Sequence, residues 1–203
     1  SGTRGFRPRE AMIYLPPAYL TEQRPALPVV LALTGQPGSP SDWYELGALK
    51  DTMDAYAAAH DGLAPVVVVA DLLGNPYRNP LCSDTVRGGR VATYLERDVP
   101  AWIRDNLQVD PDPAHWAVAG LSNGGTCALQ VVSRSPQVYP TFLAMSAEEH
   151  PSLGSEERTV EVGFDGDRAA YEANDPLSIM AAAPAGRYAG VEGIVSVGRD
   201  DEE

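Results

Sequence analysis

The sequence predicts an α/β protein built on a mostly parallel sheet with helices on both faces. Three observations predict it. Short β-branched runs alternate with longer amphipathic stretches, as in successive βαβ units. Two of the runs, PVVLAL at 28–33 and PVVVVA at 65–70, are continuously apolar, as strands buried on both faces are. A third run, HWAVA at 115–119, leads at once into GLSNGG and a helical stretch of small residues.

The elements follow in order. Glu10 to Leu15 reads as a strand ended by Pro16 and Pro17. After the second strand, TGQPGSPS at 34–41 is a turn-rich loop, and Asp42 is placed to cap a helix running to about His60. The strand at 65–70 is followed by 71–90, a long segment without periodicity that holds Gly74, Pro76, Pro80, Gly88 and Gly89. A loop of that length in a compact domain is usually functional. Val91 to Leu107 reads as a helix with Val91, Leu95, Val99, Trp102 and Ile103 on one face and Pro100 as a source of a kink. Gly124 to Ser133 is a helix and Thr141 to Met145 a strand. Asn174 or Asp175 caps a short helix that has Pro176 at its first position. Val191 to Val197 is the last strand.

Length and composition narrow the function. The 203 residues suit one domain spanning 1–203, with no internal repeat or linker. An apolar fraction of 44% and a charged fraction of 21% are those of a globular chain. The net charge is −13, and no basic cluster stands outside Arg4, Arg7 and Arg9. A nucleic-acid partner is therefore excluded, since phosphate binding needs a basic face. No apolar run reaches the ~20 residues of a membrane span, and the polar, arginine-bearing Ser1 to Glu10 is unlike a signal peptide. Cys82 and Cys127 sit in no metal-ligand spacing, so no metal is expected. They allow one disulfide or two buried thiols.

The chemistry sits at Gly120-Leu121-Ser122-Asn123-Gly124. This is G-x-S-x-G between a strand and a helix, the context of a nucleophile elbow. There a strained turn lifts the serine hydroxyl above the carboxyl edge of the sheet, near a helix N-terminus that favours negative charge. Acyl transfer also needs two oxyanion donors. The amide of Asn123 is one; the other comes from the loop after an early strand, where Gln36 still carries an N–H and Pro37 does not. The acid of such a site follows a late strand, which points to Asp201, with Asp200 second. Asn75 and Tyr77, in the long loop, are expected to line one wall for substrate.

The base is harder to find. The three histidines, His60, His115 and His150, all precede the expected acid. His60 closes a helix and His115 opens a strand at the wrong sheet edge. His150 follows the fifth strand at the right edge, with no acid partner predicted for it.

Together, YLPPAY, LALTGQPGSPSDW, DLLGNP, YLERDVPAWIRDNL and WAVAGLSNGGTCAL resemble the α/β-hydrolase "Putative esterase" family, which includes esterase D-like enzymes and secreted mycolyltransferases. The likeness covers most of the chain and looks nearest to actinobacterial esterase domains outside the membrane. It implies the α/β-hydrolase fold, Ser122 as nucleophile in a Ser-His-Asp triad, oxyanion donors near Gln36 and Asn123, and an acid near Asp201. It implies a carboxylic ester hydrolase without cofactor, acting on a small-molecule or lipid acyl ester. It also implies a Cys82–Cys127 disulfide, an extracytoplasmic location and, in such relatives, an N-terminal membrane anchor. Two departures stand out. Thr34-Gly35 replaces the His-Gly or Asp-Gly of relatives. The family's catalytic histidine lies in a C-terminal segment that these residues do not include, so the domain is expected to be cut short there. The alternatives are an acyltransferase of the mycolyltransferase type, in which a sugar hydroxyl replaces water, and a noncatalytic binding module of the cell envelope.

Overall fold

The structure, a computed structural model, describes residues 5–199. A six-stranded sheet forms its centre, in the order β1-β3-β2-β6-β7-β8. The strands are β1 (Met12–Tyr14), β2 (Val29–Leu33), β3 (Val66–Ala70), β6 (Trp116–Leu121), β7 (Thr141–Met145) and β8 (Glu192–Ser196). Only β1 runs antiparallel, against β3. The others pair in parallel, so their carboxyl ends share one edge. A hairpin of β4 (Asp84–Thr85) and β5 (Gly89–Arg90) is the sole regular pairing in the long 71–90 loop.

The two apolar runs behave as expected. In β2 and β3 alternate side chains go to opposite faces. Val29, Leu31, Leu33, Val66 and Val68 enter the larger core, and Ala32, Val67 and Val69 the smaller one. The smaller core is closed by α2 (Leu49–Ala59). The larger is closed by α5 (Asn123–Arg134) and by the helix through 91–106.

Two helices depart from the sequence expectation. Residues 42–60 are not one helix: α1 (Asp42–Glu45) stops before Ala48, which turns left-handed at φ 48°, and α2 restarts at Leu49. Asp42 is no cap there, since Ser41 precedes α1 and the Asp42 carboxylate accepts the Ser39 amide at 2.9 Å. The second helix is α3 (Val91–Thr93), a π turn at Tyr94–Asp98, and α4 (Val99–Asn106). Val91, Leu95, Val99 and Ile103 recur every four residues, more than the 3.6 of an α-helix. The wider turn absorbs the excess, so all four stay buried while Trp102 rotates outward to 47% exposure. Pro100 stands two residues past the π turn, and the helix continues through it to Asn106.

Beyond β7 lie α6 (Glu156–Arg158), a π turn at Thr159–Gly163, α7 (Arg168–Glu172) and α8 (Pro176–Ala182). The first three carry no periodicity long enough to read from sequence. Asp175 caps α8 with Pro176 at its first position, which resolves the choice between Asn174 and Asp175. β8 is exposed along all five residues, with Ile194 at 64% and Val195 at 59%. No helix of the described residues is long and apolar enough to cross a membrane.

The cysteines form the disulfide that the resemblance implies, with Cα atoms 5.5 Å apart. It ties the long loop to the first turns of α5. Replacing both by alanine is expected to lower the unfolding free energy by up to roughly 4 kcal/mol, the chain-entropy value for a bridge of this sequence separation. Denaturant titration under non-reducing conditions measures it; a loss below about 1 kcal/mol would mean that other contacts hold the loop.

Candidate active site

Ser122 stands between β6 and α5 with φ 54° and ψ −124°, a conformation that L-residues avoid. The surroundings over-determine it. The Ser122 amide donates to the Met145 carbonyl of β7 at 2.8 Å, and its carbonyl accepts the Thr126 amide of α5 at 3.0 Å. A side chain at Gly120 would overlap the Gly124 carbonyl, and one at Gly124 would overlap the Leu33 carbonyl. Strand and helix therefore meet at a distance only glycine allows.

The loop after β2 reaches the same point. A Cβ on Gly35 would stand 3.4 Å from the Ser122 Cβ. Gln36 follows and donates from its carboxamide to the Tyr77 carbonyl at 3.1 Å. Asn123 opens α5, so its amide is among the four that a helix leaves without intrahelical partners. Thr34 Oγ1 and Asn123 Nδ2 are buried without a hydrogen-bond partner among the described residues.

Two cavities flank Ser122. One, about 510 Å³, is lined by Gln36, Tyr77, Asn79, Asn123 and Ser152 among others. The other, about 870 Å³, is lined by Glu149, His150, Glu156, Tyr171 and Val197 among others, and Ser122 lines both. A third hollow of about 420 Å³ against α7 and α8 shares no lining residue with them.

The sequence-expected residues are thus partly assembled. Ser122, Asn123, Gln36 and Tyr77 come together. Asn75 does not line either cavity: its carboxamide accepts the Tyr77 amide at 3.0 Å and builds the turn that presents Tyr77. Asp201 and Asp200 lie outside the described residues.

No histidine hydrogen-bonds to Ser122 among the described residues. The His60 ring stacks on Tyr56, with Nδ1 2.7 Å from the Tyr56 carbonyl. His115 belongs to the turn before β6, at the amino-terminal edge, with Nδ1 2.6 Å from Asp110. His150 is different. It lines the larger cavity, and its Nδ1 lies 2.6 Å from Asp175 Oδ1. The sequence reading, which gave it no acid partner, is corrected here. The partner is 25 residues away and reads locally as a helix cap, so only the packing of α8 against α5 could reveal it.

The arrangement, a strained serine at a helix N-terminus beside a donor-bearing loop, is one that acyl transfer uses. The chain resembles several known proteins. An uncharacterized protein of Corynebacterium glutamicum is 38% identical over 203 residues, covering 98% of this chain and 47% of the relative, so the chain spans about half the relative's length. A diacylglycerol acyltransferase/mycolyltransferase Ag85C of Mycobacterium avium is 37% identical over 62 residues, 30% of this chain and 17% of that one. An S-formylglutathione hydrolase from Agrobacterium tumefaciens superposes with a TM-score of 0.71 at 20% identity, covering 93% of this chain and 69% of that one, which shows the shared α/β-hydrolase architecture. Residues 5–203 match the model of one family, and the chain belongs to it: the "Putative esterase" family.

Proposed function

We propose that the whole protein is a serine hydrolase of carboxylic esters. The observation that carries this reading is Ser122 held at φ 54° between two cavities, against the loop of Gln36. In this mechanism the Ser122 hydroxyl attacks the acyl carbon and the amides of Gln36 and Asn123 hold the developing oxyanion. A histidine takes the serine proton and returns it to the leaving alcohol, and Asp201, or Asp200 beside it, orients that histidine. Water then releases the acyl group by the same route.

We assign the base to chain beyond residue 203. Two observations support this. None of the three histidines bonds to Ser122 among the described residues, and β8 leaves its apolar residues exposed at the sheet edge beside the site. Covering with a helix or loop is one of the ways in which native sheets protect such an edge. The disulfide supports an extracytoplasmic location, because such bonds persist in oxidising compartments. The acyltransfer alternative differs only in the hydroxyl that accepts the acyl group; the polar lining of the smaller cavity, with Gln36, Tyr77, Asn79 and Ser152, gives a long alkyl chain little to pack on.

The test is titration of acid released from short-chain esters by the natural full-length protein. Turnover is expected there, with residues 1–203 alone at least 100-fold slower, since loss of one triad member leaves a small residual rate. Full activity in residues 1–203, abolished by His150→Ala, would move the base to His150. No turnover in either would favour a noncatalytic binding module.

A further inference from the structure

We propose that His150, fixed by Asp175, binds the alcohol end of the ester through a hydrogen bond that the alcohol donates. The inference rests on the esterase reading of Ser122 and adds a residue that selects the leaving group.

The geometry begins at Met145, where β7 ends. The chain then runs beside the first turn of α5, where the Glu148 amide donates to Thr126 Oγ1 at 2.9 Å. His150 follows on the same wall. Its ring is held from behind: Asp175 is 2% exposed, its Oδ2 accepts the Ser178 amide at 2.8 Å and its Oδ1 lies 2.6 Å from His150 Nδ1. A carboxylate can only accept, so the contact with Asp175 places a proton on Nδ1, and a ring carrying that one proton presents a lone pair at Nε2. Nε2 stands 4.0 Å from Glu149 Oε2, beyond hydrogen-bond distance, and the side chain is 47% exposed. The exposed part faces the larger cavity, which Ser122 also lines.

The alcohol belongs in this cavity rather than the smaller one. The group that protonates the leaving oxygen must stand beside it. Val197, four residues before the expected acid, lines the larger cavity, and the exposed β8 edge assigned to the base lies on the same side. The cavity wall places two acceptors side by side, His150 Nε2 and the Glu149 carboxylate, among the hydroxyl-bearing Ser146, Ser152 and Tyr171, while the Glu156 carboxylate is held by Arg168 at 2.6 Å. Such a wall suits an alcohol that carries further donors, either hydroxyl or protonated amine.

The experiment gives the full-length protein three butyrate esters as substrates: ethyl butyrate, glycerol monobutyrate and 2-(dimethylamino)ethyl butyrate, whose amine is protonated at neutral pH. His150→Ala is expected to raise KM about tenfold for one or both donor-bearing esters, about one hydrogen bond's worth, with kcat within about twofold. Ethyl butyrate should be unchanged. Which of the two esters responds identifies hydroxyl or ammonium as the donor. Asp175→Asn, which keeps the helix cap but can donate to Nδ1 and so make Nε2 a donor, should give the same KM rise; His150→Gln, which keeps an acceptor, should recover part of it. Equal KM values in wild type and His150→Ala for all three esters would overturn the proposal, as would a uniform loss of kcat. Absence of turnover in the wild type would instead sink the esterase reading. In that case calorimetric binding of glycerol monobutyrate and the amino ester decides, and equal affinity in wild type and His150→Ala overturns the proposal.

Discussion

Ser122→Ala in the full-length protein is expected to lower ester turnover by about 10⁴- to 10⁶-fold, as removal of a serine nucleophile does elsewhere. KM should change little, because the cavities and the Gln36 loop remain. The fold should survive, since alanine keeps the backbone contacts to Met145 and Thr126. Ser122→Gly separates function from strain more sharply. Residues held at φ 54° and ψ −124° cost roughly 1–3 kcal/mol unless they are glycine. Glycine also loosens the unfolded chain, so the variant should be inactive yet more stable by about 1 kcal/mol. Initial rates and denaturant midpoints on the same preparations test both. A Ser122→Ala variant with more than a few per cent of wild-type turnover would remove Ser122 from the chemistry.

Arg9→Ala is expected to cost about 3–5 kcal/mol of stability, the range for leaving one partner of a buried ion pair uncompensated. Asp71 follows β3 at the carboxyl edge and is fully buried. Arg9 answers it from its backbone amide at 2.7 Å, from Nε at 3.0 Å and from Nη2 at 2.7 Å. The amides of Leu73 and Gly74 complete the shell at 3.1 and 3.0 Å. Burial pushes the Asp71 carboxyl upward, but the bonds from Arg9 and Leu73 outweigh it and hold it below the usual carboxylate range. A carboxyl depressed in the folded state adds stability above its unfolded value, about 3.9. That contribution is lost as pH falls through the lower folded value. The gap between wild type and Arg9→Ala should therefore be widest at neutral pH and shrink below about pH 4. Urea titrations at pH 7 and pH 3.5 measure it; a gap of equal size at both would assign the loss to packing rather than charge. The pair also bears on the site, because Arg9 Nη2 donates to the Gly38 carbonyl at 2.9 Å, two residues past Gln36.

The local sequence settled much of this protein. The continuous apolar runs could only be strands buried on both faces, and β2 and β3 are such strands. The G-x-S-x-G run between strand and helix located Ser122, because Gly120 meets Gly124 within the same run. Pro176, after Asn174 and Asp175 as the two candidate caps, marked the start of α8 by the same local logic. These features depend on near neighbours in the chain, and near neighbours are what a sequence displays.

Tertiary structure decided the rest. The break at Ala48 and the π turn at Tyr94–Asp98 are local in place but distant in cause, since each aligns a helix with a sheet face built from other segments. Arg9 and Asp71 are 62 residues apart, and His150 and Asp175 are 25 apart. In sequence, Arg9 is a charge near the terminus, Asp71 a loop acid, His150 an unpartnered base and Asp175 a helix cap. Each takes its second role only when the parallel strands bring their carboxyl ends to one edge. Burial there removes water from a polar group, and the group must then find its partner wherever the fold has placed one.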